Sequence, residues 1–375
     1  MAKVVPELDK KVKIDLPYYV HGQPPYSFPW QTDIDYMDTL KTLWGEEWGA
    51  QGIGKLRRAL VAFADESEAC EEFAADPVYF GRLAGQPDIS KCVEEQERAF
   101  NLLKSEGVAL DYLKHPTLDD TPWPGKLGPY GTPIKMLTST GSAFVIHGGA
   151  IIPRRGVAFK VGVEVLLTKK FGELGCPILY TITGKGTMEI GSSIWLDHEH
   201  WIVSQGTAEG NSDALQQVTP ILQRSGVKEI MTTTMYGGSW GTTWPPSPNW
   251  GHVTSGIEVV DVGVALAIIP SLSYEFVGKL LHKGINIIEA PPEDGQYLNV
   301  VLLEPGKIMI STSESSRRPL ATLRALKKAG IDAIEVEWTN MNKLGGGVRC
   351  GVGPLLRDMP GPSIGELDGR KGKLI

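Results

Sequence analysis

Hydrophobic and polar positions along this 375-residue chain follow one alternation that recurs five times. An amphipathic stretch with charge in its last turn runs into a glycine and then directly into a short β-rich run. The instances are EEQERAFNLLKSEG before VALDYL, VEVLLTKKFGELG before CPILYTI, ALQQVTPILQRSG before VKEIMTT, SYEFVGKLLHKG before INIIEA, and PLATLRALKKAG before IDAIEVEW. The pattern predicts a helix, a glycine in the left-handed conformation that ends it, and a strand. Gly107, Gly175, Gly226, Gly284 and Gly330 are the expected helix ends. Upstream of most helices lies a second recurring piece, two apolar runs around a polar turn: AFVIHGGAIIPR, SSIWLDHEHWIVSQ, IEVVDVGVALAII and NVVLLEPGKIMIS. These read as pairs of strands.

Each unit is therefore strand, strand, helix, strand. The glycines stand 68, 51, 58 and 46 residues apart, so insertions vary the spacing. Such a unit cannot bury its sheet alone. Five of them arranged around an axis would close on themselves with only short edges left over, although the same alternation also fits a doubly wound α/β sheet. Length by itself suggests two or three domains, and the repeat points instead to one closed set of units. It also accounts for the 44 glycines and 26 prolines, well above ordinary usage, because every unit needs a helix end and a hairpin turn.

Formal charge is −7 and no run of basic residues occurs, which argues against nucleic acid or an anionic membrane as the main partner and favours a small-molecule substrate. The N-terminal MAKVVPELDKKVKIDLPYY lacks the apolar core of a secretion signal, and no apolar stretch is long enough to span a membrane, so a cytoplasmic protein is expected. Assembly into a homo-oligomer stays open. The four cysteines are scattered and form no CxxC pair, so free thiols are expected.

Cys350 is unusual among them. It sits in LGGGVRCGVGPLL, where glycines allow close backbone approach and the adjacent Arg349 would favour a thiolate. Cys70, Cys92 and Cys176 lie in apolar settings and read as structural. A thiolate nucleophile needs a proton partner. His252 follows the Gly/Pro/Trp-rich MYGGSWGTTWPPSPNWG and opens a strand, while Trp240, Trp244 and Trp250 beside it are candidates for a pocket wall. His282 reads as a charge at a helix C-terminus. Asp197, His198, Glu199 and His200 lie between two apolar runs without a further ligand at standard spacing, so they read as a hairpin turn and no metal is expected.

The segments GTMEIGSSIWLDHEHWIVSQG, GHVTSGIEVVDVGVALAIIP and GGGVRCGVGPLLRD, in that order, together with WGAQGIGKLRRALVAF, resemble the guanidino-group-modifying enzymes of the pentein superfamily. That group includes arginine and agmatine deiminases, dimethylarginine dimethylaminohydrolases and amidinotransferases. The similarity runs from about residue 44 to residue 358. It implies an N-terminal extension over 1–43, a single catalytic domain over 44–375, and a five-bladed α/β propeller of strand-strand-helix-strand units. It also implies chemistry without a cofactor: a cysteine attacks an amidine or guanidine carbon, and a histidine protonates the leaving group and then activates water or an acceptor amine. Cys350 matches the nucleophile, His252 the histidine, and Glu189 the glutamate of the family's Glu-Gly-Gly-Asp motif.

Three positions depart from the family. The aspartate of its Phe-x-Arg-Asp segment falls on His147, the aspartate two residues after the histidine falls on Thr254, and the aspartate ending Glu-Gly-Gly-Asp is Ser192. The segment that often holds an amino-acid carboxylate is replaced around GTAEGN. A desolvated guanidinium without paired carboxylates is costly, so free L-arginine is not the expected substrate. A hydrolase for a different amidine or guanidine compound is expected, with His147 and Thr254 offering hydrogen bonds, the three tryptophans stacking on the substrate, and Arg349 either steering an anionic group or serving as a structural cation. An amidinotransferase is the first alternative. A non-catalytic propeller that binds a partner is the second.

Overall fold

The computed structural model describes residues 34–63, 87–113, 142–156, 162–206, 210–234, 252–313, 318–343, 346–367 and 370–375. Helix α1 (Tyr36–Trp44), capped by Asp35, precedes strand β1 (Leu56–Ala62), helix α2 (Ile89–Ser105) and strand β2 (Ala109–Leu113). Three units of one design follow. They are β3 (Phe144–Ile146), β4 (Gly149–Ile152), α3 (Val163–Leu174) and β5 (Ile178–Thr181); then β6 (Ser193–Trp195), β7 (His200–Ser204), α4 (Ser212–Arg224) and β8 (Glu229–Thr233); then β9 (Ile257–Asp261), β10 (Val264–Ala267), α5 (Tyr274–His282) and β11 (Asn286–Glu289). A fourth comprises β12 (Val301–Glu304), β13 (Lys307–Thr312), α6 (Leu320–Lys328) and β14 (Asp332–Glu337). The short helix α7 (Thr339–Lys343) then leads to strand β15 (Val352–Arg357).

These strands form five three-stranded sheets. In each of the four complete units the first two strands pair antiparallel, and the strand after the helix adds in parallel to the second. The first unit lacks its leading strand in sequence. β15 supplies it, pairing antiparallel with β1 so that Leu60 faces Gly353 and Val61 faces Val352, while β2 lies parallel on the other side of β1. The doubly wound sheet that the strand and helix alternation also allowed is not what forms.

All five expected glycine helix ends have positive φ, between 71° at Gly175 and 96° at Gly226. A Cβ at Gly226 would meet no atom within 4 Å, so it is the backbone conformation and not the space that calls for glycine. Helix α4 shows why these segments fold locally: Asn211 accepts the Ala214 N–H at its start, and Ala214, Val218 and Leu222 recur at the helical period on its buried face.

Apolar contacts join the sheets in succession. Trp48, Phe100, Val145, Leu303 and Trp338 belong to one core shared by the β15–β1–β2, β3–β4–β5 and β12–β13–β14 sheets. Phe144 stacks on Trp201 at 5.7 Å between centroids, linking β3–β4–β5 to β6–β7–β8, an arrangement that contributes about 0.5–1.5 kcal/mol beyond burial. Ile194 and Ile257 share a core between the next two sheets, and Val260 and Ile308 share another. The third strands β5 and β14 carry the more exposed positions. α1 docks on the β3–β4 hairpin through the Tyr36 hydroxyl, which donates to the Gly148 carbonyl. No helix among the described residues is long and apolar enough to cross a membrane.

Gly226→Ala should destabilise the protein by about 1–2 kcal/mol, the cost of a left-handed non-glycine residue. Gly278→Ala, in the exposed open-sided middle of α5, should stabilise it by about 0.5–1 kcal/mol. Urea denaturation midpoints check both; equal effects at the two positions would rule out the cap argument.

Candidate active site

The residues that converge do not come from the strands themselves. They come from the short segments that lead into the first strand of each sheet. Glu189 caps, and Gly191 lies in the middle of, a single 3-10 turn (Ile190–Ser192) ahead of β6. His252 caps a similar turn (Val253–Ser255) ahead of β9, and Cys350 lies in a third (Val348–Gly351) ahead of β15. Ser142 precedes β3 and Asn299 precedes β12. One cavity is lined by Ser142, Glu189, Gly191, His252, Arg349 and Cys350, with Ile190 and Thr254.

Close packing fixes the imidazole. A Cβ at Gly191 would stand 2.9 Å from His252 Nδ1 and 3.0 Å from its Cε1, so the ring lies against glycine backbone where no other residue fits. Glu189 holds the other side, with Oε2 3.5 Å from His252 Nε2. Its second oxygen faces Arg155, whose Nη1 is 3.3 Å from Oε1. Arg155 follows β4 and is fully buried at its side chain; its guanidinium nitrogens make no hydrogen bond among the described residues, so the Glu189 charge is what compensates it.

Cys350 is half-buried, and its N–H donates to the Gly347 carbonyl. Asn299 clasps it from both sides: the amide Oδ1 accepts the Cys350 N–H at 3.3 Å and Nδ2 donates to Sγ at 3.4 Å. A Cβ at Gly347 would lie 2.6 Å from the Asn299 Cβ and Oδ1, which is why a glycine stands there. A donor to sulfur favours the thiolate over the thiol. Cys92 and Cys176 are buried, and burial pushes the Cys176 thiol up to about 12, out of reach of thiolate chemistry at neutral pH.

Arg349 is engaged by two other groups. Its Nε is 3.3 Å from Glu258 Oε1 and its Nη2 donates to the Ser193 carbonyl. Burial pushes Glu258 up to about 8, with Arg349 drawing it back. Arg349 also borders a second cavity lined by residues of all five leading strands, among them Val145, Ile194, Val259, Val301 and Val352. There Arg357 donates to the Gly54 and Leu302 carbonyls and is pushed down to about 10, by burial and by the Arg349 charge.

Of the residues singled out in sequence, Cys350, His252, Glu189, Thr254 and Arg349 thus meet in one cavity. Thr254 lines it but commits its hydroxyl to the Gly191 carbonyl. His147 does not reach the cavity. It occupies the β3–β4 hairpin turn, its N–H bonded to Gln51 Oε1, and Ser142 is the residue that arrives from that side. Ser192 is buried and its carbonyl accepts the Ser204 hydroxyl. Trp240, Trp244, Trp250 and Cys70 lie outside the described residues. The Asp197–His200 segment is the β6–β7 hairpin turn, organised by the buried Asp197, whose carboxylate accepts His200 Nδ1 and the N–H groups of Glu199, His200 and Ile364. Burial raises Asp197, but these bonds outweigh it and hold it down at about 2. No group of three metal-ligating side chains occurs among the described residues.

Asn299 and Arg155 were missed in sequence. Asn299 stands two residues before a leading strand, as Cys350 does, and that shared position is the signal that would have found it. Arg155 lies in an Arg-Arg pair after an apolar strand, where only the fold tells which side chain turns inward.

No protein-family model matches the chain. Among solved structures it is similar to dimethylarginine dimethylaminohydrolase from Pseudomonas aeruginosa complexed with citrulline, with TM-score 0.58 and 18% identity over 80% of this chain and 100% of that one. It is also similar to SxtG, an amidinotransferase from Microseira wollei, with TM-score 0.60 and 13% identity over 85% of this chain and all of that one. The chain has the pentein-like α/β fold. Among curated proteins, the 2-nitroimidazole nitrohydrolase of Mycobacterium sp. (strain JS330) is 26% identical over 372 residues, 95% of this pentein-like chain and 94% of that protein.

Asn299→Leu should slow alkylation of Cys350 by iodoacetamide near neutral pH by about tenfold, in keeping with the roughly 1.5 kcal/mol of a hydrogen bond to a charged group; an unchanged rate would show that Asn299 does not support the thiolate. Glu258 gains a proton on folding because its folded value of about 8 exceeds the unfolded 4.5, so it makes stability fall as pH rises from about 4.5 to 8. Glu258→Gln should flatten that slope in denaturation curves taken across this range.

Proposed function

We propose that the chain is a cysteine-dependent hydrolase that cleaves a C–N bond at the amidine carbon of a neutral, planar nitrogen heterocycle of the nitroimidazole type. The convergence of Cys350, His252 and Glu189 from three separate sheets on one cavity carries this reading. The similarity to a nitrohydrolase along nearly the whole of both chains supports the substrate class. Glu189 is the only carboxylate among the described lining residues, which suits a neutral ring better than a guanidinium that needs paired acids.

In this reading the Cys350 thiolate adds to the carbon between two ring nitrogens, and the electron pair moves onto the ring. Collapse of the adduct expels nitrite and leaves the ring carbon bonded to Sγ. His252, oriented by Glu189, takes a proton from water, which attacks the same carbon and returns Cys350 as thiolate. The balance is substrate plus water giving a cyclic urea, nitrite and a proton. Covalent capture splits one difficult displacement into two easier steps, and one histidine can serve both as acid and as base.

The same reading takes residues 44–375 as one catalytic domain and the five sheets as blades of a closed propeller. Its supports are the pairing of β15 with β1 and the contacts that run from each sheet to the next.

The test is incubation with 2-nitroimidazole and a panel of cyclic guanidines, followed by nitrite measurement and intact-protein mass spectrometry. Wild type should release nitrite and carry a transient adduct. Cys350→Ser should do neither, and His252→Ala should accumulate the adduct because water is not activated. Nitrite release at the wild-type rate by Cys350→Ser would sink the covalent mechanism. Incorporation of an added amine in place of water would move the assignment to group transfer, and a Cys350 inert to every substrate and alkylating agent would move it to a binding protein.

A further inference from the structure

Arg155 is placed with more precision than a stray buried charge would need. The Met188 N–H donates to the Arg154 carbonyl, which sets the segment after β4 alongside the one before β6 and brings Arg155 opposite Glu189. Arg154, one residue earlier, turns outward and donates to the Gly186 carbonyl, tying the same two segments again. Arg155 is thereby held with its side chain fully buried, 3.3 Å from Glu189 and without a hydrogen-bond partner for any guanidinium nitrogen among the described residues. A buried guanidinium with so little compensation is expensive. It is not among the cavity-lining residues, so it acts on a bound ligand through Glu189.

We propose that Arg155 is a resident counter-cation that sets the selectivity of the site: it takes the cationic place beside Glu189 that a guanidinium ligand would otherwise fill, so that the cavity admits neutral planar amidine and urea groups over cationic ones. The proposal rests on reading this cavity as the substrate site. Arg155 is a positioning and specificity residue, since it touches Glu189 and not the ligand. Glu189 orients His252 with one oxygen, yet its charge is balanced from behind by Arg155, and a cation arriving from the cavity would be desolvated without gaining a free counter-charge.

The experiment compares two ligands of one shape, imidazolidin-2-one, which is neutral, and 2-iminoimidazolidine, which is cationic at neutral pH. Calorimetry on Cys350→Ser protein gives both dissociation constants without turnover. The neutral ligand should bind more tightly, and adding Arg155→Met should shift the ratio towards the cation by at least about tenfold, the order expected for removing one charge from a partly buried site. Arg155→Lys, which keeps the charge, should restore the original ratio. A purely structural role would weaken both ligands together and leave the ratio unchanged in Arg155→Met, which would overturn the proposal. If Arg155→Met does not fold, Glu189→Gln decides: with Arg155 left unbalanced it should shift the ratio at least about tenfold further against the cation, and an unchanged ratio would overturn the proposal equally. Failure of either ligand to bind the Cys350→Ser protein would overturn the reading of the cavity itself and this proposal with it.

Discussion

The pairing of β15 with β1 is the constraint on which the rest of this structure depends. Four units are complete in sequence, but the first consists of β1, α2 and β2 alone and offers an unpaired sheet edge until the end of the chain returns to cover it. Closing a loop of some three hundred residues costs only slowly growing entropy, while an open apolar edge would remain a site for aggregation. The same pairing carries Cys350 into place. Cys350 stands two residues before β15, so the register that sets Val352 against Val61 also decides where the thiol lies relative to the lead-ins of the other sheets.

A site assembled from lead-in turns is rigid in an economical way. Each turn is anchored by the strand that follows it, so its single functional side chain inherits the precision of a packed core. Contacts between turns then refine the geometry: glycine backbone against the His252 ring, the Asn299 amide around Cys350, the Thr254 hydroxyl on the Gly191 carbonyl. Charges at the site come in pairs, the buried Arg155 with Glu189 and the partly exposed Arg349 with the buried Glu258. Such pairs add little net stability against their desolvation cost. What they do is fix the orientation of the side chains beside them. Glu189 stands beside His252 in this way, whereas burial pushes Glu258 up to about 8 and Arg349, which borders both cavities, draws it back.

The division between what could be read in sequence and what could not follows the range of the interactions involved. Helix periodicity, glycine caps and strand pairs depend on residues within a few positions of one another, and all five caps and four hairpins were visible as pattern. Cys350, His252 and Glu189 were also visible, through resemblance and through the glycines around them. The resemblance places the family's aspartate at His147, which sits in the polar turn at one end of the strand pair, whereas the cavity is met by Ser142 at the other end of β3. Thr254 was in the right place, but its hydroxyl is already bound to backbone from another unit.

By itself, then, the sequence determined the repeating unit, its boundaries and the residue types available for chemistry, because these follow from local backbone preference and local burial. Only the tertiary structure decided that the last strand completes the first sheet, that Arg155 and not Arg154 turns inward to Glu189, and that Asn299 meets Cys350 across 51 residues of chain. Each of those depends on the apposition of turns from separate sheets, and turns that short leave no periodicity to be read. The burial of an apolar face can be inferred from one segment; the partner of a buried charge can be identified only when both segments are in place.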